Sequence, residues 1–305
     1  MNSNEKRLKA PIIFIGPGRS GSTIVSEIVF AHETLAWPSN HQEYFPKLTP
    51  VNLLRPLFDN SLWRVVGEKG QLNQTRILNT VLPRPAEAYP FWQHLTRHGV
   101  DFSRGFLLGK VATKEEARGI RKVIGRMVAW QGRQRFAMKI TGPGRIGYLQ
   151  SIFPDALFVN VVRDPVATVH SLLKVPFWKD LGMQRLWWQG AYSEAEIDEF
   201  ASIKDDPVAA TAFQLAKVLR TTQEEALRCR AQMLTVEYES FVENPRACVE
   251  HICTFLTLPP SKWVENKLRQ TRIHDRNHPQ DALDKHSASK VLSFMNSVQG
   301  WSVAV

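Results

Sequence analysis

The chain has 305 residues, 43% hydrophobic and 22% charged, an ordinary globular composition with ample length for a large core. Lys and Arg outnumber Asp and Glu by 39 to 29, and this net charge of +10 suits an anionic ligand without separating small polyanions from nucleic acid or membrane surfaces. No uncharged apolar run approaches the roughly 18 residues of a membrane helix, and the sequence carries neither an internal repeat nor a low-complexity tract. Residues 1–10 read as a flexible polar tail without the apolar centre of a secretory signal, so the expectation is a cytoplasmic chain with one domain over 11–305.

Residues 11–16, Pro-Ile-Ile-Phe-Ile-Gly, read as a buried strand that runs into the turn Gly16-Pro-Gly-Arg19-Ser20-Gly21-Ser22-Thr23 and then a helix. Gly16 and Gly21 keep the spacing of the nucleotide-triphosphate loop G-x-x-x-x-G-K-[ST] and Thr23 keeps its hydroxyl, but Ser22 fills the lysine slot and Arg19 supplies a cation inside the loop. Backbone N–H groups of such a turn and the positive end of the next helix bind an anion; the charge that would handle a γ-phosphate is missing. Stretches 37–56, 83–106 and 272–289 read as irregular from their Pro, Gly, Asn and His content, and 114–128 as a helix. Residues 135–139 form a short strand ending at Lys139, followed by a turn and a helix over 145–153. The apolar run 155–162 predicts a parallel strand covered on both faces. It stops at Arg163-Asp164-Pro165, where Asp caps and Pro begins a helix over 166–174. Arg163 therefore projects from the carboxyl end of a strand, where open α/β sheets place ligands, and Ser171 lies two turns on along the same helix. Residues 207–230 predict one long helix or two joined, 233–238 a strand ending at Tyr238, and 247–256 an amphipathic helix. Cys229, Cys248 and Cys253 fall in predicted helices and read as buried free thiols; with His251 they do not supply four converging zinc ligands. Of the aromatic pairs Phe91-Trp92, Phe177-Trp178 and Trp187-Trp188, those beside the 166–174 helix are better placed to meet a ligand than Trp263 or Trp301.

The loop Arg19-Ser20-Gly21-Ser22-Thr23 resembles the 5′-phosphosulfate loop of sulfotransferases that use 3′-phosphoadenosine 5′-phosphosulfate (PAPS), and Arg163 with Ser171 looks like the same family's 3′-phosphate motif. Lys139 matches the family lysine that contacts the bridging oxygen, and 233–258, with Tyr238, resembles its closing strand and helix. The resemblance implies an α/β, three-layer, P-loop-NTPase-like fold: a central parallel sheet flanked by helices, with helical and loop insertions around 45–132 and 176–206 that receive the acceptor. It implies transfer of a sulfuryl group from PAPS to an acceptor hydroxyl, or less readily an amine, with 3′-phosphoadenosine 5′-phosphate (PAP) as product and no metal required. Arg19, Ser20, Gly21, Ser22, Thr23, Arg163, Ser171 and Tyr238 would bind the cofactor, and Arg19 and Lys139 would also serve catalysis. Many cytosolic members continue Lys-Thr-His, the histidine being the general base; here the run is Lys139-Ile140-Thr141, so the base must come from elsewhere. Other members use a glutamate shortly after the first helix, which points to Glu43 first and His41 second. The expected acceptor is small, carbohydrate or lipid-like, with neither nucleic acid nor a membrane span involved. A P-loop kinase or NTPase and a non-catalytic adenine-nucleotide binder are the alternatives.

Overall fold

The structure is a computed structural model that describes residues 8–60, 62–67, 81–275, 277, 283–296 and 298. The expected N-terminal tail, except for residues 8–10, and Trp301 lie outside the described residues, as does part of the 272–289 stretch. Five strands, β1 (Ile12–Ile15), β2 (Leu35–Ala36), β3 (Arg135–Lys139), β4 (Leu157–Val162) and β5 (Gln232–Glu237), form one sheet in the order β2-β3-β1-β4-β5. Every pairing is parallel. The register aligns Phe14 with Lys139, Ile15 with Asn160, and Val162 with Glu237. Gly16, Lys139, Arg163 and Tyr238 consequently stand along one edge, the carboxyl ends of the strands.

Alternation along the strands divides the core into two layers. Ile13, Ile15, Phe136, Met138 and Phe158 pack with α4 (Tyr89–Leu95), α5 (Lys114–Trp130) and α6 (Ile146–Ile152). Ile12, Phe14, Ala137, Leu157, Val159 and Val161 pack with α1 (Ser22–Val29), α11 (Pro245–Phe255) and α12 (Lys262–Gln270). This is the expected three-layer, P-loop-like arrangement. Between β2 and α4 come α2 (Asn40–Tyr44), a 3-10 turn (Thr49–Leu54) and α3 (Arg55–Phe58). Beyond β4 lie α7 (Pro165–Leu173), α8 (Glu194–Ile203), α9 (Pro207–Arg228), α10 (Tyr238–Glu243) and α13 (Lys285–Met295).

Local chemistry sets the helix starts. Thr113 and Glu116 make a capping box for α5. Asp164 and Asp206 accept backbone N–H bonds ahead of Pro165 and Pro207, and Asn244 does the same ahead of Pro245. Three expectations need correction. Stretches 37–56 and 83–106 contain short helices, because Pro50, Pro56 and Pro90 sit in first turns, where proline promotes a helix. The end of 272–289 is already the start of α13. The three cysteines are free but only half-buried; burial pushes the Cys248 thiol up to about 11.

Candidate active site

The turn after β1 is shaped by two glycines that no other residue can replace without a clash. At Gly16 (φ +150°) a Cβ would lie 2.3 Å from the Val161 carbonyl oxygen, and at Gly21 (φ +83°) it would lie 2.3 Å from the Tyr238 ring. The Gly142 N–H donates to Gly16 O at 3.0 Å, which ties the turn after β3 to this loop. Helix α1 begins with Gly21 in the N-cap position and no side-chain cap, so its first N–H groups face the loop without a side-chain acceptor. Ser20 is fully buried, and its Oγ has no hydrogen-bond partner among the described residues.

Beside this loop the second motif forms a cationic corner. Arg19 Nε donates to Ser171 Oγ at 3.0 Å, joining residues 152 positions apart. Arg163 Nη1 donates to Arg19 O at 3.3 Å, its Nε donates to Asn277 Oδ1 at 2.8 Å, and its guanidinium lies 5.1 Å over the Tyr238 ring. Burial pulls the Arg163 guanidinium below the usual arginine range and neighbouring Arg19 adds to this, while Tyr238 and Glu239 oppose it. Tyr238 is held in turn, its hydroxyl donating to His274 O at 2.9 Å. Asn277 Nδ2 also donates to Glu239 Oε1 at 2.6 Å. Two adjacent guanidiniums favour a ligand of double negative charge.

A third cluster closes the site at the end of β3. Lys139 Nζ donates to Thr23 Oγ1 at 3.0 Å and to Glu87 Oε1 at 2.8 Å, with only 8% and 11% of the Lys139 and Glu87 side chains exposed. Thr141 Oγ1 donates to the other carboxylate oxygen, Glu87 Oε2, at 2.8 Å. Tyr89 OH donates to Thr141 O at 3.0 Å and accepts from Thr141 N at 3.1 Å. Burial, and next the Glu87 charge, push the Tyr89 hydroxyl up, so it stays a donor.

Neither residue expected to carry the base is hydrogen-bonded to Lys139 or Thr141 among the described residues. His41 Nε2 lies 2.8 Å from Val81 O and its Nδ1 is buried without a partner among the described residues. The Glu43 side chain makes no hydrogen bond or ion pair among the described residues, whereas Glu87 is bonded to both Lys139 and Thr141. Yet the segments are adjacent: Ser39 bridges Pro85, and Ala86 N donates to Pro38 O at 2.9 Å. The chain leaves β2, crosses 38–40, and is met there by the returning 84–87 segment, which delivers the carboxylate. Sequence reading missed Glu87 because it sits in a stretch read as irregular; a carboxylate three residues before Pro90 carries no spacing signal.

The aromatic pairs also divide. Trp178 is core, its Nε1 donating to Thr211 Oγ1 at 2.9 Å, and Phe91 and Trp92 are fully buried. Phe177 is exposed and tilts against Trp187, with ring centroids 5.6 Å apart. Trp188 covers Gly142, where a Cβ would meet its indole nitrogen at 2.5 Å.

With this geometry in hand, comparisons place the chain. It is similar to the sulfotransferase STF9 from Mycobacterium avium, at TM-score 0.54 and 13% identity, with 97% of this chain and 79% of that one covered. It is also similar to the sulfotransferase STF1 from Mycobacterium tuberculosis H37Rv, at TM-score 0.48 and 15% identity over 97% of this chain and 79% of that one. Mouse sulfotransferase SULT7A1 complexed with PAP matches at TM-score 0.38 and 9% identity, over 97% and 78% of the two chains. No curated protein matches the sequence. The family model described as the sulfotransferase family matches residues 11–263, from the start of β1 into α12. The chain belongs to the sulfotransferase family.

Proposed function

We propose that this sulfotransferase takes its sulfuryl group from PAPS and delivers it to an acceptor hydroxyl, with Glu87 as the general base. The residues fit a phosphosulfate. The uncapped start of α1, the buried Ser20 Oγ without a partner among the described residues, and the glycines at 16 and 21 form a cradle for an anion. When bound, PAPS supplies an activated sulfuryl group on a phosphate leaving group. The N–H groups and hydroxyls of Ser20, Gly21, Ser22 and Thr23 bind the 5′ end. Arg163, Arg19 and Ser171 hold the 3′-phosphate, and the Tyr238 ring supports both Gly21 and Arg163. The Arg19 side chain, expected at the 5′ end, donates to Ser171 Oγ, which supports a position at the corner between the two ends.

Lys139 neutralises charge that builds on the leaving oxygen, held in place by Thr23. Glu87 accepts the acceptor's proton, and Thr141 fixes its carboxylate by bonding Oε2. Thr141 stands two residues after Lys139, at the position where the Lys-Thr-His members keep their histidine. Here that position orients a carboxylate brought from another segment. The single observation that carries this reading is the Thr23–Lys139–Glu87–Thr141 chain of hydrogen bonds at the mouth of the anion loop.

The test is incubation with PAPS and a panel of sugars, phenols, alcohols and amines, with sulfated product and PAP release followed by mass spectrometry. Equal amounts of both products are expected from a hydroxyl acceptor. Turnover of ATP with magnesium, and none of PAPS, would contradict the reading.

A further inference from the structure

The segment from α2 to the 62–65 stretch is built inside out. Its polar side chains turn inward, and Gln42, Asn52, Arg55 and Asp59 are all buried. Asn52 Nδ2 donates to Gln42 Oε1 at 2.7 Å, Gln131 Nε2 donates to Asn52 Oδ1 at 2.7 Å, and Arg55 Nη2 donates to Leu35 O at 3.0 Å. This polar hub fastens the segment to β2 and the end of α5. The apolar side chains are left facing outward: Tyr44, Phe45, Leu53, Leu54, Leu57 and Leu62 are exposed, Leu57 by 62% and Leu62 by 82%. Most of the large apolar side chains exposed among the described residues lie in this one segment. They share one surface, because the 49–54 turn touches both α2 and α3, and Trp63 Nε1 donates back to Leu57 O at 3.0 Å. So concentrated an apolar patch marks a binding surface.

Charge decides what covers it. Between residues 44 and 67 the only acid is Asp59, which is buried, whereas Lys47 is exposed. Helix α5 packs against the 49–54 turn and carries Arg118, Lys122 and Arg126 at four-residue spacing, an exposed stripe on the side away from the core. These four cations make no hydrogen bond or ion pair among the described residues, and the acids of α5, Glu115 and Glu116, are confined to its first turn. An apolar surface flanked by uncompensated cations matches a bilayer with anionic headgroups, where each cation near the surface adds attraction. A second copy of the chain would bring the same cations to the contact, where like charges oppose it. Leucine dominates the patch, and leucine is scarce among the anchors of protein contacts but suits a fluid acyl layer that needs no matching shape. Tyr44 and Trp63 have the apolar body and polar tip that favour the headgroup level. We infer that this surface docks the protein on an anionic lipid bilayer, with the leucines at the boundary of headgroups and acyl chains and the cations among the headgroup phosphates.

Co-sedimentation of the full chain with vesicles tests it. Mixed phosphatidylcholine and phosphatidylglycerol vesicles should carry the protein down at low salt, while high salt, or phosphatidylcholine alone, should leave most of it in solution. Leu57→Ser combined with Leu62→Ser should weaken binding at least about tenfold, since two exposed leucines lose their apolar burial. Lys122→Gln and Arg126→Gln should each weaken it about fivefold. All of these side chains are exposed, so the thermal midpoint followed by circular dichroism should stay at the wild-type value. Wild-type protein that sediments with neither vesicle would overturn the inference, as would binding indifferent to lipid charge and salt or to the leucine pair. A dimer seen by light scattering and lost in the leucine variant, without vesicle binding, would also overturn it and assign the surface to a second copy. PAPS turnover enters none of these readouts, so this surface and the active-site reading can fail separately.

Discussion

The two sides of the proposed site, one for the cofactor and one for the acceptor, are built in different ways. The cofactor side uses three short continuous stretches, 16–23, 163–171 and the start of α10 at Tyr238, each following a strand of the same sheet. Their backbones are fixed locally, by Gly16 and Gly21 packed against Val161 and Tyr238 and by Asp164 capping α7. The acceptor side is assembled from distant segments. Glu87 is brought to Lys139 by pairing of 84–87 with 38–40, and the 55–64 region is pinned by one buried carboxylate, Asp59, shared among Arg55, Arg64 and Arg133. On the roles proposed above, anion binding depends on local backbone shape, while proton transfer depends on tertiary assembly. Substitutions on the two sides should fail differently.

The largest effect should come from the base. Glu87→Gln keeps the shape and the contact with Lys139 but cannot accept a proton, so sulfation should fall about 10² to 10⁴-fold. PAP affinity, measured by calorimetry, should stay close to wild type. Glu43→Gln and His41→Gln should sulfate nearly as well as wild type. The opposite ranking would return the base to the 40–44 helix.

Next is the scaffold of the acceptor side. Burial opposes ionisation of Asp59, but Arg55, Arg64 and Arg133 together hold its carboxyl below the usual range. Asp59→Asn leaves three crowded guanidiniums without their counter-charge and should cost about 3–5 kcal/mol in denaturant unfolding. A carboxylate with a depressed folded pKa contributes stability that is fully present above its unfolded value of about 4. That contribution should fade as the pH falls through the lower folded value. Unchanged stability in Asp59→Asn would mean that the surrounding backbone carbonyls already satisfy the arginines.

On the cofactor side, Arg163→Ala removes a charge-assisted contact worth roughly 1.5–3 kcal/mol, so PAP should bind at least about tenfold more weakly. AMP, which lacks the 3′-phosphate, should be much less affected. An unchanged PAP to AMP ratio would reduce the second motif to a capped helix. The smallest effect is expected at Thr141, where removal of one hydrogen bond to Glu87, about 0.5–1.5 kcal/mol, should slow transfer roughly 2- to 10-fold. Thr141→Ser should restore it. A loss in Thr141→Ala as deep as that of Glu87→Gln would make Thr141 more than an orienting residue.

The same contrast explains what could be read from the sequence. Strands β1, β3, β4 and β5, helices α5, α7 and α9, and the grouping of Arg19, Arg163, Ser171 and Tyr238 follow from runs whose patterns are local: apolar strand, glycine turn, Asp-Pro cap. The strand β2 is two residues long and has no pattern to detect. The short helices at 40–58 and 89–95 begin with prolines or lie among them, so residues that favour a first turn were read as breakers. Glu87 is brought to Lys139 only by the returning chain, and Arg64 is set over Trp263 only by the tertiary fold. Neither leaves a spacing in the sequence.

A crystal structure with PAP bound tests the account most directly. It should place the 5′-phosphate on the N–H groups of residues 20–23 within reach of Lys139 Nζ, the 3′-phosphate on Arg163, and the Glu87 carboxylate at the open end where a sulfuryl group would project. A 3′-phosphate away from Arg163, or Glu43 or His41 facing that open end in place of Glu87, would contradict it.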